Sequence, residues 1–133
     1  MRNCKLRIAT TTDGEERVFT QRAEMELNPL SAVLRYTQDG GNVVLKIENS
    51  EVTTERTGDY RLKLRFAEGK RTVGSLGIMS SDGEIGVVTH KLLYKLNENS
   101  LLLSVKYALL LNGGEQEVSL LLTATGENIS EEK

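Results

Sequence analysis

His90 and Cys4 are the only histidine and the only cysteine in 133 residues, so chemistry that needs either has one candidate. A general base working near neutral pH would have to be His90, with a nucleophile and an orienting acid around it. Thr89-His90-Lys91 supplies neither, and His90 reads as a surface or strand-edge residue. Cys4 has no partner for a disulfide and no second thiol for zinc, so it reads as a packing residue. Glu15-Glu16, Glu24 with Glu26, and Glu131-Glu132 lack the alternating aspartates of a calcium loop and read as solvated faces. Gly74-x-x-Gly77 and Gly113-Gly114 lack the strand-to-helix setting of a phosphate loop. They read as strand kinks and a hairpin turn. No acid, base and nucleophile assemble, so the expectation is a protein that is not an enzyme and uses no cofactor or metal.

Two cationic features remain. Arg61, Lys63 and Arg65, followed by Lys70 and Arg71, form a row that suggests a single-stranded nucleic acid groove. The aromatic platform is missing, because Tyr60 and Phe66 alternate onto the opposite face. The row reads as a solvated outer face balanced by glutamates on neighbouring strands. Arg56 shares the parity of Val52 and Thr54 and so faces inward if Val52 does. Just before the turn at Gly58, an inward arginine either plugs one end by donating to carbonyls or holds a carboxylate ligand.

The elements that must position these groups follow from punctuation. The chain is 38% hydrophobic and 27% charged, enough apolar content for one folded domain. With 17 Lys+Arg and 19 Asp+Glu the net charge is −2, which excludes bulk-charge binding to nucleic acid or anionic lipid. The apolar runs 101–103 and 108–111 are far too short for a membrane helix, and Met1-Arg2-Asn3 leads into no secretory apolar run. The expected location is cytoplasmic, with no nucleic acid or membrane partner. Turn residues recur at Asp13-Gly14, Asn28-Pro29, Asp39-Gly40-Gly41-Asn42, Asn49-Ser50, Gly58-Asp59, Glu68-Gly69, Ser81-Asp82-Gly83, Asn97-Glu98-Asn99 and Asn112-Gly113-Gly114. Cutting there leaves ten segments: 2–12, 15–27, 30–38, 42–48, 51–57, 60–67, 70–80, 84–96, 100–111 and 115–125. Each suits one strand.

Periodicity agrees. In Tyr60-Arg61-Leu62-Lys63-Leu64-Arg65-Phe66 every even position is apolar and every odd one cationic, the signature of a strand. Leu101, Leu103, Val105, Tyr107, Leu109 and Leu111 share a face, as do Val118, Leu120, Leu122 and Ala124. Leucine favours helix, yet the bounding turns and alternating neighbours assign 101–111 to a strand. The parity slips between Thr89 and Leu92, which predicts a β-bulge near His90-Lys91. Strands joined by short links remove their exposed edges most simply as an up-and-down barrel. The expectation is an all-β, antiparallel barrel of about eight to ten strands. It spans 1–127, with a polar tail at 128–133.

Arg56-Thr57-Gly58, Phe66-Ala67-Glu68-Gly69, Gly83-Glu84-Ile85, Thr89 and Tyr107-Ala108-Leu109 stand in a recognisable order. The stretch they mark, 51–126, resembles the YwiB-like family of bacterial calycin-like β-barrels, a family of unknown function. Leu76 stands where that family usually carries an aromatic residue, and the turn 79–83 looks longer than the family's. The resemblance implies a small lipocalin-like barrel that is cytoplasmic and bacterial. It implies no activity and no catalytic residues. The chain has no tryptophan, so the lipocalin Gly-x-Trp is absent and no lipocalin ligand carries over.

The remaining expectation concerns the lumen. Arg56, Leu62, Leu64, Phe66, Val105, Tyr107 and Leu120 are the residues expected to line it. A narrow apolar pocket, open at one end, would there bind a small hydrophobic or acidic molecule. The alternative is an interaction protein acting through its outer surface. Outward-facing Leu102, Leu110 and Leu121 would then make a homodimer through the last two strands.

Overall fold

Two-residue hairpins that match strand twist need positive φ at both central residues. Asp13 and Gly14 (φ 52° and 80°), Asp39 and Gly40 (50° and 79°), and Asn49 and Ser50 (54° and 63°) meet that demand. The computed structural model describes residues 1–127, and these turns with their counterparts divide it into ten strands. They are β1 (Arg2–Thr12), β2 (Glu15–Leu27), β3 (Ala32–Gln38), β4 (Gly41–Glu48) and β5 (Glu51–Thr57). The second half holds β6 (Tyr60–Phe66), β7 (Arg71–Ile78), β8 (Ser81–Leu96), β9 (Ser100–Leu111) and β10 (Gly114–Gly126). The described residues form no helix, and the 101–111 stretch is strand. The polar tail expected at 128–133 lies outside the described residues.

Each strand pairs antiparallel with its neighbours in sequence, and β1 closes on β10 from Cys4 opposite Gly126 to Thr12 opposite Val118. The fold is a closed, up-and-down, all-β barrel of ten strands. Its register shifts between Thr89 and Lys91, so His90 is the extra residue of a bulge. The slip keeps Val87, Thr89, Leu92 and Tyr94 on the inner face of one long strand.

One turn differs from its sequence reading. The chain reverses at Met79-Ser80, with Met79 at φ 58°, and Ser81-Asp82-Gly83 belong to β8. Asp82 pairs with Arg61 at 2.7 Å across Gly77, which lies between them in register. That cross-sheet ion pair keeps the ladder going past the turn-forming Asp-Gly. Outside the barrel, Leu121 is 42% exposed, whereas Leu102 and Leu110 are half-buried and Leu110 covers Gly86.

The interior is divided. Leu6, Ile8, Met25, Leu34, Leu45, Ile47, Leu101, Leu103 and Leu122 are each no more than 2% exposed and pack solidly in one half. Toward the turns at 13–14 and 39–40, the inward side chains Thr10, Thr12, Phe19, Gln21 and Tyr36 are only half-buried. The wall is also incomplete at that end. β2 pairs with β3 only over 24–27, leaving 15–23 without a strand on that side. Gln21 spans the opening: its Nε2 donates to the Thr37 carbonyl at 2.6 Å, and its Oε1 accepts from the Thr37 N–H at 3.1 Å.

Candidate functional site

Arg56 comes inward from β5 and is 5% exposed. Its Nη1 donates to Asp59 Oδ1 at 3.1 Å and to the Tyr60 carbonyl at 2.9 Å. Its Nη2 donates to the carbonyls of Gln38 and Asp39 at 3.2 and 3.0 Å. The Tyr60 ring lies 3.7 Å from the guanidinium carbon, so one flat face is covered as well. Gly41 approaches so closely that a Cβ there would overlap the guanidinium. Only Nε is left without a partner. The fork therefore fastens the β3–β4 and β5–β6 hairpins together, which is the geometry of a plug.

The opening lies at the same end of the barrel, under the β1–β2 turn, and reaches Gln38 and Asp39, whose carbonyls accept from Arg56. A cavity of about 600 Å³ is bounded there by Thr10, Thr12, Asp13, Glu15, Arg17 and Gln116. A second, of about 720 Å³, shares Thr10 and Arg17 and runs along Phe19, Gln21 and Gln38 to the gap beside β3. A third, of about 580 Å³, is a groove on the outer side of the same gap, bounded mostly by outward residues such as Arg22, Glu24, Arg35 and Asn42 and reaching in to Gln21 and Tyr36. The first two make a cup at the half-open end of the barrel, and the groove meets it at Gln21.

Two phenols lie against the packed half. Tyr36 on β3 and Tyr107 on β9 both face inward, and burial pushes each up to about 12. For Tyr36 the nearby Tyr107 phenol adds to the rise. Tyr107 is 8% exposed and stacks at a tilt on Phe66, ring centres 4.6 Å apart. Among the described residues neither phenol hydroxyl has a hydrogen-bond partner in the protein, and neither is sealed from open space.

The residues expected to line the lumen are thus separated. Leu64, Phe66 and Val105, at 5%, 3% and 1% exposed, belong to the packed half. Leu62 and Leu120 are half-buried against it, Tyr107 belongs to it, and Arg56 is the plug. The cup is built by residues the sequence reading passed over: Thr10, Arg17, Phe19 and Gln21. A signal existed, because Arg17, Phe19 and Gln21 continue the inward parity of Ala23, Met25 and Leu27. Polar side chains at inward positions hid it, since they break the apolar alternation that marks a buried face.

The other candidates settle on the outside or in the core. Arg65 holds Glu51 through two bonds of 2.9 and 2.7 Å, which keep the Glu51 carboxyl below its ordinary value. Lys63 sits beside Glu55 in register. The cationic row is an outer face laced by carboxylates. His90 is half-exposed at the bulge, 3.2 Å from Glu117 Oε1. Cys4 is fully buried, and burial first, then Glu127, pushes its thiol up. Among the described residues no three His, Cys, Asp or Glu side chains gather as a metal site, and no helix is long and apolar enough to cross a membrane.

Residues 4–120 match a family described as "Domain of unknown function (DUF1934)". The chain belongs to that family. Among solved structures it is similar to the ywiB protein from Bacillus subtilis. The match has a TM-score of 0.75 and 18% identity, and covers 95% of this chain and 91% of that one. At such identity the likeness concerns the fold. No curated protein matches the chain. The stretches that carried the family resemblance have structural places. Arg56 plugs the barrel, Phe66 and Tyr107 stack, and the Gly69 N–H donates to the Thr89 carbonyl at 2.9 Å. Glu68 Oε1 accepts from the Leu92 N–H at 2.9 Å, just past the bulge. These residues close the barrel; they do not line the cup.

Proposed function

We propose that this barrel is a non-catalytic cytoplasmic binding module, holding a small molecule with an apolar body and an acidic group in the cup. Phe19 offers the apolar wall, and Arg17 the cation for the acid. The observation that carries this reading is the cavity of about 720 Å³ that sets the Phe19 ring beside the Arg17 side chain.

The chain has four tyrosines and no tryptophan, so tyrosine difference absorbance reports changes around the inward rings, Tyr36 beside the opening among them. Native mass spectrometry of protein purified without refolding should show a bound small species. Releasing that species should shift the tyrosine difference spectrum, and Thr10→Trp, which fills the cup, should abolish both signals. Retention of the species by a folded Thr10→Trp variant would place the ligand elsewhere and end this reading. A homodimer is the second reading, favoured by the exposed Leu121 with Val18 and Leu93, at 42%, 46% and 62% exposed. Ala9 lies between Val18 and Leu121 in register, and Ser104 between Leu121 and Leu93. A sedimentation mass that stays at the monomer at all concentrations would rule it out.

A further inference from the structure

The charges of the cup are of both signs and unused. Arg17 lines both main cavities; Asp13 and Glu15 line one of them and Asp39 the other. Among the described residues none of these four makes an ion pair within 4.0 Å, although Glu15 and Arg17 lie two positions apart on one face of β2. The same barrel pairs its structural charges closely, Arg61 with Asp82 and Arg65 with Glu51, both at 2.7 Å. All four are exposed at the rim of the cup, where water solvates them and where they remain free to meet a ligand that brings its own charges. A ligand with a carboxylate alone would meet three acidic groups around one guanidinium. An amine alone would meet Arg17. Opposite charges on one small molecule satisfy both.

The wall adds a second feature. Over 15–23 the β2 main chain pairs with β1 but has no strand on its β3 side. Such an edge presents alternating N–H donors and C=O acceptors, the groups a peptide or amino acid complements. Gln21 already shows the demand, since its amide bonds both the N–H and the carbonyl of Thr37 as a strand would.

We propose that the cup takes a zwitterion, a free amino acid or short peptide. Its carboxylate meets Arg17, and its ammonium meets Glu15 with the rim carboxylates Asp13 and Asp39. The inference rests on the cup being a binding site and goes further by naming what enters it.

The test is calorimetric titration of the full chain, with tyrosine difference absorbance as a second signal. The probes are L-phenylalanine and glycyl-phenylalanine, their N-acetyl and C-amide forms, 3-phenylpropionate and phenethylamine. The expected result is that the zwitterions bind and that capping either end weakens binding at least about tenfold. Arg17→Gln should then remove the discrimination against the C-amides, and Glu15→Gln that against the N-acetyl forms. If 3-phenylpropionate or a capped form binds as tightly as the zwitterion, the cup stands and the zwitterion inference falls. If no probe gives a signal, the zwitterion inference falls, and the Thr10→Trp comparison decides the cup separately.

Discussion

Arg56 shows how a single side chain holds two hairpins. Its guanidinium satisfies the carbonyls of Gln38, Asp39 and Tyr60, and the Asp59 partner is itself 75% exposed. The carbonyls, not the ion pair, therefore carry most of the stabilisation. Arg56→Met would keep the aliphatic stem and strand these acceptors, at a cost of about 1–3 kcal/mol. A urea midpoint equal to that of the unchanged protein would refute the plug. The phenols make a different residue-scale prediction. Tyr36 and Tyr107 titrate near 12 in the folded chain, above the ordinary 10. The native state thus keeps protons that the unfolded chain has begun to lose. The stability linked to these phenols is fully present below pH 10 and is lost as pH rises toward 12. Phenolate absorbance should show a late component that the Tyr36→Phe, Tyr107→Phe double variant lacks.

Within β7, two glycines accommodate neighbours in different ways. A Cβ at Gly74 would overlap the Lys63 carbonyl, part of the adjacent main chain. A Cβ at Gly77 would meet only the far ends of Arg61 and Asp82, which can swing aside. Gly74→Ala should cost about 1–3 kcal/mol because a strand must move. Gly77→Ala should cost no more than about 0.2–1 kcal/mol, the range of an exposed ion pair. Equal thermal midpoints for the two variants would contradict this division. The β6–β7 loop is fixed by a smaller device, the Glu68 carboxylate accepting from the Leu92 N–H beyond the bulge. In Glu68→Ala the Leu92 amide loses its acceptor, and its hydrogen exchange should accelerate while distant amides keep theirs.

The whole barrel is uneven, and its dynamics should be too. One half is sealed by aliphatic side chains; the other opens where β2 leaves β3. Local opening costs least where buried contacts are few and ladder bonds are missing. Amides of Leu45, Ile47, Leu103 and Val105 should exchange last, and those along the 15–23 edge that face β3 should exchange first. Uniform protection around the ring would mean that the gap closes in solution and that the cup is not a standing opening.

Period-2 alternation and turn chemistry are local, so the residues of each segment determined its strand by themselves. Alternation in 60–66, the Asp-Gly and Asn-Ser turns and the slip at Thr89-His90-Lys91 were all legible, bulge included. The inward direction of Arg56 was legible too, from its parity with Val52. At Met79-Ser80 local chemistry was overruled, because Asp82 finds Arg61 across the sheet only once β6, β7 and β8 are side by side. The division of the lumen was decided wholly by tertiary structure. Whether an inward leucine fills the axis or borders a cup depends on what reaches it from the far wall, and on where β2 and β3 separate. Neither fact is encoded within one strand: the parity of Arg17 points inward, but only barrel closure sets its exposed side chain at the rim beside Thr10.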